Sequence, residues 1–326
     1  MEKEKLVSVV IPTRNRPEML MRAVRSALNQ TYQEIEVIVV IDGPDANTVK
    51  TLEEETDRRV KFISLEASVG GGEARNTGVR ASTGEWIALL DDDDEWLPGK
   101  IRGQMDAAAA LEYGNVILST KYMERSIEET RVFPMRMPDA GESLESYLCC
   151  PRGLRSGGEV LQTSTLMAPR DLLMRVPFVP GLKRGQDFMW LIQASSLGCA
   201  SFHVVPAVLS IFNSDGFTDD KRVSSKPNWR SFYDCVRENR RLFTPSAYGY
   251  CIATRILTDA VKCDTPVSIK LRLLGECMRN GSGSMKCMFL FLYVWLIPPN
   301  TRNRLGEGLR AITKRATLRS SQVGTA

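Results

Sequence analysis

Ile35–Ile41 reads IEVIVVI, seven residues with a single polar side chain, followed at once by Asp42, Gly43 and Pro44. A run this short, this apolar and this rich in β-branched residues is expected to be a strand buried on both faces, the kind that builds parallel sheets. Working outward, residues 6–12 (LVSVVIP) repeat the pattern, and residues 60–65 and 86–90 (WIALL) read as two further strands. Between them, residues 18–30 place Leu20, Val24, Ala27 and Leu28 on one helical face, while 45–57 and 73–81 read as shorter helices. Strand and helix in alternation predict an α/β fold, a Rossmann-like, doubly wound, mostly parallel sheet with right-handed crossovers. Ligands on such sheets bind beyond the carboxyl ends of the strands. Segments 12–16, 42–45 and 91–95 are therefore expected along one edge.

Beyond residue 120 the alternation loosens. Residues 131–158 carry several prolines and glycines and read as irregular; 163–167 read as a strand, 186–197 (QDFMWLIQASSL) as a helix and 201–212 as an extended segment. From about 226 the chain reads as helical and more basic. The expected organisation is a domain over 1–225, its halves meeting near 120, and a helical extension over 226–326. Residues 287–297 form an unbroken apolar stretch about half the roughly 20 residues needed to span a bilayer, so no membrane crossing is expected.

Composition removes several classes of function. A hydrophobic fraction of 43% and a charged fraction of 25% exclude disordered, collagen-like and coiled-coil proteins. With 43 basic and 39 acidic side chains the net charge is only +4, so nucleic acid is not an expected partner. The single histidine, His203, rules out an HExxH zinc site and any His-rich metal cage, and no GxSxG surrounds a serine. The 8 cysteines include no CxxC pair, which argues against a zinc ribbon or a thioredoxin-type motif. The opening MEKEKLVSVVIPTRNR has no signal-peptide core, so reduced thiols and a cytoplasmic location are expected, at most peripheral to the inner face of a membrane.

Two stretches carry chemistry. Asp91, Asp92, Asp93 and Asp94 follow a buried strand directly. Consecutive carboxylates repel one another, and a hard divalent cation neutralises them best; the plainer alternative is a solvated acidic turn. In an extended backbone Asp91 and Asp93 would share a face while Asp92 points away. Residues 68–78 (SVGGGEARNTG) lead a glycine-rich turn into a helix, an arrangement that lets backbone amides approach a phosphate and lets Arg75 face a diphosphate. As a dinucleotide fingerprint the stretch fails, because Arg75 stands where the third glycine belongs.

The segments VSVVIPTRNRPEMLMRAVRSALNQTY, EVIVVIDGPD and GEARNTGVRASTGEWIALLDDDDEWLPGKI resemble, in order and spacing, the N-terminal half of the family 2 glycosyltransferases of GT-A fold. The resemblance covers about residues 6–105 closely and continues more loosely to about 215. It implies a nucleotide-sugar donor, commonly a UDP-sugar, held at the strand ends through Mn²⁺ or Mg²⁺ on an Asp-x-Asp motif. By position, Asp91-Asp92-Asp93 looks like that motif, with Asp91 and Asp92 on the nucleotide side, Asp91 near the ribose, and Asp93 on the metal. Pro12, Thr13 and Arg14 match the loop that borders the nucleobase. Asp42 falls where relatives often carry two aspartates, one of which reads the base; here Ile41 replaces the first. Residues 183–190 (KRGQDFMW) are similar to the acidic motif that supplies the general base, with Gln186 replacing Glu and Asp187 retained. The resemblance thus makes Asp187 the catalytic base; by itself, an aspartate at a helix start reads as a cap.

The activity so implied is inverting, metal-dependent transfer of a sugar in surface polysaccharide or glycolipid assembly, with a carbohydrate or lipid-linked acceptor. A sugar nucleotidyltransferase and a non-catalytic nucleotide-sugar-binding module are the alternatives. The apolar stretch 287–297 is followed by Arg302, Arg304, Arg310, Lys314, Arg315 and Arg319 against one acid, Glu307. It reads either as a buried helix closing the acceptor side or as a contact with an anionic membrane surface.

Overall fold

The structure, a computed structural model, describes residues 4–112, 114–126, 129–152, 158–196, 200–213, 229–298 and 301. The chain divides into two units, 1–148 with 158–243 and 149–157 with 244–326. The boundary expected near 225 lies outside the described residues.

The first unit is built on a nine-stranded sheet. Its order is β3 (Val60–Ser64), β2 (Ile35–Ile41), β1 (Val7–Thr13), β4 (Trp86–Leu89), β8 (Met167–Pro169), β6 (Val116–Arg125), β9 (Ser201–Asn213) and β5 (Glu95–Trp96), with β7 (Thr130–Phe133) paired to β6. Strands β3 to β4 are parallel; β8 runs antiparallel to both β4 and β6, so the sheet is mixed beyond β4. The crossover helices are α1 (Pro17–Leu28), α2 (Ala46–Glu53) and α3 (Gly71–Ala81); α4 (Lys100–Ala110), α5 (Leu144–Cys149), α6 (Arg170–Arg175), α7 (Gln186–Ser196) and α8 (Trp229–Glu238) follow.

Every residue of β1, β2 and β4 is buried, as their apolar runs require, whereas edge strand β3 is half open to solvent. Alternate side chains serve opposite faces. Val7, Val9, Ile11, Val37 and Val39 pack with Leu20, Ala23 and Val24 of α1 and with Ile101 and Met105 of α4. On the other face Ile38 and Val40 meet Ala74 of α3. A Cβ at Gly78 would stand 2.4 Å from Val10 Cγ1, so α3 lies at a distance from the sheet that only glycine permits.

Two local expectations are corrected. Residues 163–167 are not one strand: Thr163–Thr165 form a 3₁₀ turn before β8. The reason is hydroxyl competition, since Thr165 Oγ1 donates to the Gln162 carbonyl at 2.6 Å and Ser164 Oγ donates to Asp94 at 2.5 Å. Nor is 131–158 wholly irregular, because β7 and α5 lie there. Arg136, bonded to both carboxylate oxygens of Glu142 at 2.7 Å and to Glu159 at 3.2 Å, ties the intervening loop together.

In the second unit α9 (Pro245–Cys251) runs through a π turn (Ile252–Ile256) into α10 (Leu257–Lys262), and α11 (Val267–Asn280) and α12 (Met285–Leu296) follow. Ser284 caps α12 by accepting from the Cys287 amide at 3.1 Å. Cys277 Sγ donates to the Gly249 carbonyl and lies 3.3 Å from Cys287 Sγ. Every described cysteine is free. Among the described residues no helix is long and apolar enough to cross a membrane.

One polar residue inside the apolar frame is tied to stability. Glu36, 5% exposed on β2, accepts from Ser8 Oγ (2.7 Å), the Thr83 amide (2.6 Å) and hydroxyl (2.8 Å), and Lys61 Nζ (2.9 Å). Burial alone would raise its pKa, but these donors together hold it at about 2, below the usual 4.5. A depressed folded-state pKa stabilises the protein above pH 4.5, and that stability is lost as pH falls from 4.5 towards 2. Glu36→Gln is expected to cost about 1–3 kcal/mol at pH 7, read by urea unfolding, and to flatten the acid limb of the stability profile. An unchanged acid limb would mean that the depressed pKa has no part in acid unfolding.

Candidate active site

The carboxyl ends of β1, β2 and β4 present three loops along one edge, and polar side chains lace them together. From the first loop, Thr13 Oγ1 donates to Asp92 at 2.7 Å, and Arg16 reaches Asp92 at 3.2 Å and Asp93 at 3.5 Å. Arg14 donates to Ser68 Oγ at 2.5 Å, and Pro12 is buried in β1 opposite Val40. The Asn15 amide donates to Asp45, which also caps α2 through the Thr48 amide.

Asp42, at the end of β2, does not face open space. Its carboxylate accepts from the amides of Val69 (2.6 Å) and Gly70 (3.1 Å) and from Ser68 Oγ (2.9 Å). Gly70 turns at φ +89°, a conformation glycine adopts freely, and it opens α3. Two of the amides expected to approach a phosphate, those of Val69 and Gly70, are thus bonded to an internal carboxylate.

The acidic run after β4 is a turn and not an extended stretch, closed by a bond from the Asp94 amide to the Asp91 carbonyl at 3.2 Å. That turn brings Asp94 back beside Asp91, so carboxylate oxygens of Asp91, Asp93 and Asp94 all lie within 4.8 Å of one another. Asp92 points away, to Thr13 and Arg16. Sequence reading placed Asp94 in the acidic run but assigned only Asp93 to the cation, because a strict alternation of faces does not describe a turn. The signal that could have added Asp94 is the fourth consecutive acid itself.

Electrostatically the cluster is strained towards neutrality. Burial, reinforced by the charges of Asp91 and Asp92, raises Asp93 to about 7. Burial likewise raises Asp92 and Asp94, and the neighbouring Asp93 and Asp91 charges push Asp94 higher. Asp94, 1% exposed, bonds Ser164 and Gln162 through one oxygen, and its other oxygen, Oδ1, is buried without a partner. Three converging carboxyls, one with an unsatisfied oxygen, are a set of hard oxygen donors compatible with a divalent cation such as Mn²⁺ or Mg²⁺.

Arg75 links this cluster to a distant helix. Its guanidinium donates to Asp91 and, at 2.7 Å, to Gln186 Oε1, the first residue of α7, and stacks 5.6 Å from the centre of the Phe178 ring. Gly71 packs into the same corner, where a Cβ would lie 3.2 Å from Arg75 Nη1 and 3.4 Å from Gln186 Oε1. Asp187 is the next residue, in the first turn of α7, and one of its oxygens accepts from the Phe188 amide at 2.7 Å. Phe188 and Trp190, at 4% and 0% exposure, belong to the core. The structure therefore brings Thr13, Arg75 and Asp91 to Asp93 to one place, with Gln186 of α7 joined to it through Arg75 and Asp187 the next residue in the chain, while Arg14 and Asp42 form an adjoining group around Ser68.

Residues 8–146 match the family described as Glycosyl transferase family 2. That stretch, 139 of the 326 residues, is similar to the family 2 glycosyltransferases. Over 200 residues it is 28% identical to the amylovoran biosynthesis glycosyltransferase AmsB of Erwinia amylovora, covering 59% of this chain and 64% of AmsB. Over 114 residues it is 35% identical to WfgD of Escherichia coli, a UDP-Glc:alpha-D-GlcNAc-diphosphoundecaprenol beta-1,3-glucosyltransferase, covering 34% of this chain and 45% of WfgD. The chain thus spans less than two thirds of either relative. Among solved structures, S. aureus TarS 1-349 in complex with UDP superposes with a TM-score of 0.58 at 17% identity over 89% of this chain and 86% of that one. The mannosyltransferase PcManGT from Pyrobaculum calidifontis, in complex with GDP-Man and Mn²⁺, gives 0.53 at 17% identity over 90% and 86%. At these identities the likeness establishes the GT-A fold that the sequence led us to expect.

The cluster makes a direct prediction. A ligand that binds only the native state stabilises it by RT ln(1 + [L]/Kd), about 2.7 kcal/mol at a hundredfold excess over Kd. Mn²⁺ is expected to raise the melting temperature of the wild-type chain, and Asp93→Asn to remove most of that rise. Equal shifts in the two proteins would exclude Asp93 as a ligand.

Proposed function

We propose that this chain is an inverting, metal-dependent glycosyltransferase that moves a sugar from a nucleotide sugar, with a UDP-sugar the first candidate, to an acceptor hydroxyl. The observation that carries the reading is the pair of hydrogen bonds that the Arg75 guanidinium donates to Asp91 and Gln186, which joins the acidic cluster at the sheet edge to the start of the helix bearing Asp187. One site then holds a place for a diphosphate and, beside it, a carboxylate for proton transfer. The alternatives lack this support: a mere binding module has no need of a second, separate acid.

In this reading Asp93, with Asp91 and Asp94, holds the divalent cation, which when bound offsets the negative charge of the diphosphate leaving group as a Lewis acid. Thr13 and Arg16 fix Asp92 and so hold the acidic turn in its working shape. Arg14 borders the nucleobase. Asp42 keeps the base-side loop closed on Ser68 and Gly70, a part different from direct base contact. Asp187 takes the proton of the acceptor hydroxyl as its oxygen attacks the anomeric carbon from the face opposite the diphosphate; the new glycosidic bond forms as the bond to diphosphate breaks, and the configuration inverts.

Relatives guide the choice of substrates. WfgD is named for UDP-Glc and a diphosphoundecaprenol-linked sugar, and AmsB for amylovoran biosynthesis. A UDP-sugar donor and a lipid-linked acceptor in polysaccharide assembly are accordingly the proposal for this chain.

Asp187→Asn separates base from cap. Asparagine caps about as well as aspartate and can still accept from the Phe188 amide, so the melting temperature should hold. Turnover should fall about 10² to 10⁴-fold, with donor affinity retained, because an amide cannot take the acceptor's proton. Turnover within a few-fold of wild type would remove Asp187 from the reaction.

A further inference from the structure

The second unit presents an apolar face to water. Helix α12 has one charged residue, Lys286, and buries Cys287, Leu290, Phe291 and Val294 to 1% exposure or less. Its other side is apolar too: Met285, Phe289 and Leu296, spaced by four and seven residues, share one face and are 59%, 57% and 67% exposed. With Leu292 and Tyr293 they line a shallow apolar groove. Helix α11 adds Val267 and Leu271, one turn apart and both more than half exposed. A helix apolar on all sides normally lies buried, and a continuous exposed stripe marks a contact surface.

Charge identifies what covers it. From Pro266 to the end, the sequence holds ten Lys and Arg against two Glu, a net +8, while the chain as a whole carries only +4. A second copy docked on this face would oppose +8 with +8, and residues 302–326, themselves basic, would meet Lys270, Arg272, Arg279 and Lys286; like charges disfavour both covers. An anionic lipid surface satisfies the apolar face and the charge together. At about 18 Å for twelve residues, α12 is too short to span the roughly 30 Å hydrocarbon core and suits a position along the interface.

We infer that the outer face of α12 is a seat for an anionic phospholipid surface. Phe289, Leu296 and Met285 enter the boundary between headgroups and acyl chains, and the basic residues that the C-terminal sequence carries meet the lipid phosphates. This inference does not depend on the proposed catalytic activity, and its test reads binding alone.

The full-length chain is sedimented with vesicles of phosphatidylcholine, or of phosphatidylcholine mixed with phosphatidylglycerol, at low and high salt. Binding is expected only to the anionic vesicles and is expected to weaken with salt. Replacing Arg302, Arg304 and Arg310 together by Ser should weaken it about a hundredfold, near fivefold for each charge. The double variant Phe289→Ser, Leu296→Ser changes only exposed positions, so its melting temperature should match wild type while its vesicle affinity falls at least tenfold. Wild-type protein left in the supernatant with anionic vesicles, or a well-folded double variant that binds as wild type does, overturns the inference. A wild-type dimer that the double variant dissolves, in a protein indifferent to vesicles, overturns it in favour of a second copy.

Discussion

Four carboxyls in succession at the end of a buried strand repel one another, and much of the first unit is arranged around that repulsion. Strand β4 delivers Asp91 to the sheet edge because its apolar residues are locked between β1 and β8. Arg16 and Arg75 approach from two other elements and set two guanidinium charges against the four acids. Ser164 and Gln162 hold one oxygen of Asp94 from the far side. Loosening any of these would let the acids separate and would dissolve the convergence of Asp91, Asp93 and Asp94.

The parallel half of the sheet was legible because its cause is local. The apolar runs of β1, β2 and β4 and the helical face of Leu20, Val24 and Ala27 each declare themselves within a dozen residues. The antiparallel half was not, because β8 is three residues long and is a strand only by pairing with β4 and β6, far away in sequence. The hydroxyls of 163–165 look like β-formers in composition yet close a turn, since their partners are Asp94 and their own backbone. Of the candidate site, the acidic run is expected from the sequence motif and Asp187 from the resemblance. The bridge that relates them, Arg75 to Gln186 across 111 residues, has no local trace. Asp94 escaped assignment to the cation because a single turn bond reversed the direction its side chain was expected to take.

The two units also differ in how they treat polar groups. In the first, buried acids are met by specific donors, as around Glu36 and Asp94. In the second, α12 is almost without charge and buries Cys287, Leu290, Phe291 and Val294, with the Cys287 thiol against that of Cys277. Directional bonds fix a geometry to fractions of an ångström, as chemistry at a sheet edge requires.

The carboxylate of Asp42, held by Val69, Gly70 and Ser68, has a consequence for how a ligand meets this edge. An anion built into the chain at the start of α3 is a permanent occupant, so the loops after β2 and β3 are already ordered and a nucleotide need not lose binding free energy in ordering them. The same occupant screens the positive end of that helix. The edge therefore has two dissimilar ends, one preformed and closed to negative charge, the other acidic and selective for whatever brings a cation with it. A ligand laid across both ends would meet a preordered loop at one and the acidic turn at the other.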